Sequence, residues 1–292
     1  MKECVVLSGK GGTGKTTIIA ALAHLAAETR RLVLADADVD ASNLELLLAP
    51  EEQERHDFVG GQVAEIDADL CRNCELCVTI CRFGAISYRD DRITVDPLRC
   101  EGCAACFYAC PSGAVEMVDR VSGQWFRSET SLGPLFHARL SPGQENSGKL
   151  VTQVKMTAKL TAAQSGADLL LVDGPPGIGC PAIAATTGAQ MALLVAEPTV
   201  SGVHDLGRVL ATTRHFRVPA FVCVNKADIN RAKCEEIAQL CRDQDVPLLG
   251  EIPFDPMMVE TLVQLRPVTS EPESPAAKAI TALWRELEPR LA

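Results

Sequence analysis

The run Gly9-Lys10-Gly11-Gly12-Thr13-Gly14-Lys15-Thr16-Thr17 constrains this chain more than any other stretch. Before it, Glu3 to Ser8 is apolar enough for a buried first strand. After it, IIAALAHLAAE has the pattern of a helix. G-x-x-x-x-G-K-T between a strand and a helix is a phosphate loop. Its glycines let backbone N–H groups turn toward a phosphate, and the helix N-terminus adds its positive end. On this reading Gly11, Gly12, Thr13, Gly14, Lys15, Thr16 and Thr17 bind a nucleotide. Lys15 reaches the β- and γ-phosphates, and Thr16 ligates Mg²⁺.

Two further strands end in acid. RLVLADADVD closes on Asp36, Asp38 and Asp40, and ADLLLVDGPPGIGC closes on Asp173. Ligands of open α/β sheets bind at the C-terminal ends of parallel strands. Asp173 is therefore expected to hold Mg²⁺ through water. Strand patterns recur in QMALLVAEPT, AFVCVNKAD and VPLLGEIPFDP. The fold expected is α/β with a mostly parallel sheet.

Eight of the 13 cysteines fall between positions 71 and 110, as two quartets of C-x2-C-x2-C-x3-C spacing. Three cysteines at intervals of three wrap one corner of a cubane, and the fourth reaches the neighbouring cluster. This assigns Cys71, Cys74, Cys77 and Cys110 to one [4Fe-4S] cluster, and Cys100, Cys103, Cys106 and Cys81 to a second. Thiolate sets also bind zinc, but two complete repeated quartets favour iron–sulfur ligation. Gly84-Ala85-Ile86 and Gly113-Ala114-Val115 follow the quartets symmetrically, an internal repeat that fits a small α+β two-cluster ferredoxin domain. Cys4, Cys223, Cys234 and Cys241 sit in apolar strand or helix patterns and read as buried small hydrophobes. None of the five histidines is spaced as a ligand pair.

Length and charge set outer limits. With 292 residues, about two domains are expected. A nucleotide domain over 1–60 and 148–292 is interrupted by a ferredoxin-like domain over 61–118 and a return linker with short strands over 119–147. In the polar run after it, Glu145, Asn146 and Lys149 read as a solvated loop. A net charge of −10 argues against nucleic-acid binding. No apolar run is long enough for a membrane span, and no signal peptide opens the chain, so the expected location is cytoplasmic. The last stretch, SPAAKAITALWRELEPRLA, reads as a helix that packs on the domain.

Lys10, a second lysine in the phosphate loop, resembles the deviant loop of the MinD/ParA/nitrogenase-iron-protein group. The whole pattern resembles MinD-superfamily ATPases with an inserted ferredoxin domain. This implies ATP as the nucleotide, and a homodimer, or a heterodimer with a paralogue, in which Lys10 reaches the partner's phosphates. It makes the segment after Asp36 switch I, with Asp38 and Asp40 as candidates for Mg²⁺ or water positioning. Lys10, Lys15, Asp38, Asp40 and Asp173 form the implied catalytic set. Gly174-Pro175-Pro176-Gly177 resembles switch II. Asn225 resembles the adenine-binding residue, with Asp228, Pro253 and Asp255 beside the base, although N-K-x-D is also the guanine-reading pattern of GTPases. Cys180 falls seven residues after Asp173, as does a cluster ligand of the nitrogenase iron protein. A packed thiol is the plainer reading. The function expected is ATP hydrolysis coupled to electron transfer with a redox partner. The alternatives are an ATP-dependent scaffold for cofactor assembly and a MinD/ParA-like positioning protein.

Overall fold

The computed structural model describes residues 1–143 and 147–291. In chain order the strands and helices are β1 (Lys2–Ser8), α1 (Lys15–Ala27), β2 (Leu32–Asp36), α2 (Leu44–Leu48), β3 (Glu51–Ile66), α3 (Leu76–Ile80), β4 (Ile86–Arg89), β5 (Arg92–Val95), α4 (Ala105–Ala109), β6 (Val115–Thr130) and β7 (Gly133–Leu140). They continue with α5 (Ser147–Ser165), β8 (Leu169–Pro176), α6 (Cys180–Thr186), β9 (Met191–Ala196), α7 (Val200–His215), β10 (Ala220–Asn225), α8 (Arg231–Asp243), β11 (Leu248–Ile252), α9 (Met257–Val263) and α10 (Pro275–Leu287).

Two compact units divide the described chain. The larger takes Met1–Arg55, Trp125–Arg139 and the chain from Ser147 onward, and the smaller takes His56–Gln124 and the segment that begins at Leu140. Among the described residues the main sheet has nine strands in the order β11-β10-β9-β1-β8-β2-β7-β6-β3. From β11 through β7 every neighbouring pair is parallel. β1 is central, and its Cys4–Leu7 run is fully buried, as strands covered on both faces require. Helix α1 is apolar nearly all round, so it too is buried. Its Ile18, Ile19 and Leu22 join Leu34 of β2 and Leu169 and Leu171 of β8 in one apolar core. Ile280, Leu283, Trp284 and Leu287 of α10 close the same core, so this helix spends its apolar face inside the protein.

Two charged groups are built into the larger unit. Glu3 is fully buried, with Lys155 Nζ at 2.7 Å and Lys159 Nζ at 2.9 Å. Lys155 also donates to the carbonyls of Ala185 (2.6 Å) and Thr187 (2.7 Å), which ties α5 to the end of α6. Glu45 of α2 lies 2.8 Å from both His137 Nδ1 and Arg139 of β7, and His137 Nε2 is 3.0 Å from the Ser128 hydroxyl. Phe126 stacks on the His137 ring. Burial, helped by Arg139 and opposed by Glu45, holds the imidazole below its ordinary pKa.

The smaller unit corrects the expected fold class. It does not form a self-contained α+β two-cluster ferredoxin domain. Its long strands β3 and β6 belong to the nine-stranded sheet, and only β4 and β5 make a separate antiparallel pair. Its core packs Cys77, Cys100 and Cys106 with Val63, Ile86, Ile93 and Val115, so these thiols serve as small apolar groups.

The Glu3 network gives a stability test. Lys155→Met should lower the unfolding free energy by about 3 kcal/mol, because it leaves a buried carboxylate with only the half-buried Lys159 as its cation. The double change Glu3→Gln with Lys155→Met should recover part of that loss in urea titration. Equal losses in the single and double variants would contradict this account.

Candidate active site

The phosphate loop begins where β1 ends. Gly12 (φ 77°) and Gly14 (φ 85°) take left-handed conformations that L side chains rarely adopt. Gly14 also needs its missing side chain, since a Cβ there would lie 2.4 Å from Asn225 Nδ2. No side chain caps the N-terminus of α1, which leaves its first N–H groups free to meet an anion. Asn225, buried at the end of β10, donates to the Thr13 carbonyl at 2.8 Å and pins the loop from behind.

Lys15 is 6% exposed and lies 2.6 Å from Asp173 Oδ1 and 3.8 Å from Asp38 Oδ2. Burial is the largest single effect and works against its charge, but Asp173, Asp38 and Asp36 together outweigh it and raise its pKa. Asp173 Oδ2 is buried with no hydrogen-bond partner among the described residues, an orphan that a water ligand of a cation would satisfy. Parallel pairing of β2 and β8 sets Asp36 directly beside Asp173. Asp36 Oδ2 accepts from Ser42 Oγ (2.8 Å), Asn43 N (3.1 Å) and Leu44 N (3.0 Å), and Oδ1 accepts from Asp38 N (3.0 Å). One carboxylate thus folds the whole 38–44 loop. Burial, and then the charge of Asp173, push Asp36 up to about 7. Asp38 is raised to about 6, chiefly by burial.

These groups border a cavity of about 720 Å³. Gly11, Gly12, Thr13, Gly14, Lys15, Thr16, Thr17, Asp38 and Asp40 all line it, opposite an apolar wall that includes Leu46, Pro176, Pro181, Leu262 and Leu265. Gly177, at φ 85°, donates its N–H to the Ser8 carbonyl and holds the end of β8 against the loop. The volume suits a nucleotide-sized ligand.

Other sequence candidates lie outside the lining. Lys10 Nζ is 3.0 Å from Glu197 Oε2, and donates to Thr199 Oγ1 (3.1 Å) and Ser201 Oγ (3.2 Å). Asp228 accepts from Phe254 N at 2.6 Å, which fixes the chain after β11, next to Pro253. Asp255 accepts from Met257 N, Ser274 Oγ and Ala276 N, so it joins the starts of α9 and α10. Cys180 is exposed at the first position of α6. Lys149 lies in α5, and Glu145 and Asn146 lie outside the described residues. Sequence reasoning passed over Asp36 and Glu197. The signal for Asp36 was its position as the last residue of the strand itself, where pairing, not loop geometry, places it beside Asp173.

The two iron–sulfur clusters are corrected. Among the described residues no group of three or more His, Cys, Asp or Glu side chains is placed to hold a metal ion. The quartets span very different surroundings. Cys77, Cys100 and Cys106 are buried, Cys71, Cys81 and Cys110 are half-buried, and Cys74 and Cys103 are exposed. Burial, and then neighbouring thiols, raise Cys77 and Cys106. Cys110 Sγ instead accepts the Ala114 N–H at 3.3 Å. The expected assignments of Cys71, Cys74, Cys77 and Cys110, and of Cys100, Cys103, Cys106 and Cys81, therefore do not stand. With them fall the electron-transfer and cluster-assembly readings.

Loop, buried lysine and acidic strand ends define a P-loop NTPase, which binds and hydrolyses a nucleoside triphosphate. The model of the CobQ/CobB/MinD/ParA nucleotide-binding domain matches residues 4–268, and the chain belongs to that family. An uncharacterized protein of Methanocaldococcus jannaschii is 31% identical over 286 residues, 98% of this chain and 96% of that one. The structure of the septum site-determining protein MinD of Pyrococcus horikoshii, complexed with Mg-ADP, matches with a TM-score of 0.60 at 19% identity, over 98% of this chain and 96% of that one. A stretch of 63 residues is 41% identical to the putative oxidoreductase UacF of Escherichia coli, which amounts to 21% of this chain and 10% of that one. The MinD likeness runs the length of both chains. The family match supports the ATPase half of the expected resemblance, and the lack of any metal-holding group among the described residues corrects its inserted ferredoxin half.

The raised Asp36 pKa sets a pH dependence. The folded chain holds this proton more tightly than the unfolded chain, whose carboxyl titrates near 3.8. Its contribution to stability is therefore present at low pH and is lost as pH rises from about 4 to about 7. Melting of the nucleotide-free protein should occur at lower temperature at pH 8 than at pH 5. Asp36→Asn should reduce that difference, and an unchanged difference in the variant would refute the assignment.

Proposed function

We propose that this chain is an Mg²⁺-dependent ATPase of the MinD/ParA positioning type, whose nucleotide state governs its self-association. The observation that carries the reading is the buried Lys15, set between Asp173 and Asp38 at the foot of a nucleotide-sized cavity. The nucleotide-binding portion takes residues 1–60 and 148–292, and ATP is the preferred nucleotide on family grounds.

Each residue has a physical task in this scheme. The open N–H groups of the loop and of α1 bind the phosphates. Lys15 exchanges part of its contact with Asp173 for the β- and γ-phosphates, and Asp38 and Asp40 orient the attacking water. Thr16, Asp38 and Asp173 would hold Mg²⁺, which would supply positive charge against the phosphates. Asn225 supports the loop and borders the base, with Asp228 fixing the chain that carries Pro253, and Asp255 fixing the following helices. Lys10 serves an ATP-bound homodimer, or a heterodimer with a paralogue. The protein works in the cytoplasm. No described helix is long and apolar enough to cross a membrane, and the −10 charge disfavours nucleic acid as the docking surface.

Phosphate release and light scattering test this together. ATP, not ADP, should produce a dimer, and Lys15→Ala should cut turnover by about 100-fold or more, through loss of charge stabilisation at the transferring phosphate. Turnover or association indifferent to Lys15→Ala would overturn the proposal.

A further inference from the structure

The phosphate loop touches one element that the reaction scheme leaves unused, the first turn of α7. One glycine allows the approach, and a second allows the tight turn that leads into α7. A Cβ on Gly9 would lie 2.4 Å from Asp205 Cβ, and one on Gly202 would lie 2.1 Å from the Glu197 carbonyl. Thr199 caps α7, with its hydroxyl accepting from Gly202 N at 2.9 Å. Against this turn sits the ammonium of Lys10, held by Thr199, Ser201 and Glu197.

That is a poor place for a cation. The N-terminus of a helix carries partial positive charge and repels Lys10. A second ammonium crowds the same spot, because Lys226 Nζ lies 2.7 Å from Glu197 Oε1 and 3.3 Å from the Gly12 carbonyl. Lys226 also adopts φ 56°, an uncommon conformation for a side chain of its size. Glu197 thus takes one lysine on each oxygen. Asp205, 20% exposed on the same turn, is engaged by His204 at 3.3 Å. Two ammonium groups and a helix N-terminus thus share this corner of the phosphate loop with the carboxylates of Glu197 and Asp205.

We propose that Glu197 is a positioning residue that parks Lys10 and Lys226 beside the phosphate loop, and that the phosphates of a bound nucleoside triphosphate compete with it for them. The inference rests on the nucleotide-binding reading given above. It assigns Glu197 a role opposed to binding. The carboxylate holds the lysines in place when no phosphate is present and lowers the affinity for nucleotide when one arrives.

The test is titration of a fluorescent ATP analogue with Mg²⁺ into full-length wild type, Glu197→Gln, Lys10→Ala and the double variant, with melting curves to establish folding. Glu197→Gln should tighten binding by roughly 3- to 10-fold, the scale of a partly exposed ion pair set against a charged ligand. In the Lys10→Ala background that gain should shrink by at least half, leaving the share owed to Lys226. Ser201→Ala, at an exposed position, removes one acceptor of Lys10 without touching the carboxylate and should tighten binding by a smaller factor. Unchanged or weaker binding by folded Glu197→Gln would overturn the proposal, as would the same gain in both backgrounds. If Glu197→Gln does not fold, no gain from Ser201→Ala would overturn it. Wild type that binds no analogue would instead sink the nucleotide reading itself.

Discussion

A lysine that is nearly excluded from water needs a carboxylate, and the rest of this site follows from supplying one. The first turn of α1 places Lys15 in the interior, and Asp173 at the end of β8 meets it. Parallel pairing then brings Asp36 alongside Asp173, so one cation faces two buried carboxylates and the half-buried Asp38. Removing charges from water is costly unless they are paired and hydrogen-bonded. Asp36 resolves its share by collecting the backbone N–H groups of the 38–44 loop. The loop's shape is thereby an outcome of electrostatics inside the sheet.

Much of this was legible in the sequence. A glycine-rich loop between an apolar strand and an apolar helix admits few other readings, and acids at strand ends fall where parallel sheets bind ligands. The strand order was less legible, because β1 pairs with β8 and β9, far along the chain. Asp36 was passed over for Asp38 and Asp40, because spacing shows alternation but does not show which acid is still within the ladder. Glu197 carried no motif. Its importance comes from Gly9, whose missing side chain lets α7 touch the loop, and from Gly202, which lets the chain turn tightly after Glu197.

The cysteine quartets show the opposite failure. Their spacing is regular and their composition is right for ligation, yet intervals along a chain do not fix where side chains end up. Cys77, Cys100 and Cys106 turn into an apolar core, while Cys74 and Cys103 face solvent. The strands that flank them belong to the large sheet. The match of the nucleotide-binding family model to residues 4–268 agrees with a reading centred on the nucleotide site.

The contact between α2 and β7 has a mechanical consequence. Glu45 is clamped by His137 and Arg139, and its neighbours Leu46 and Leu47 form part of the cavity wall. The imidazole is itself wedged between Ser128 and the ring of Phe126. A helix fastened this way is a lever with its fulcrum inside the protein. If α2 shifts when the cavity fills, it must either abandon a buried carboxylate or drag β7 with it. Any shift of α2 therefore bears first on the contacts that Glu45 makes with β7.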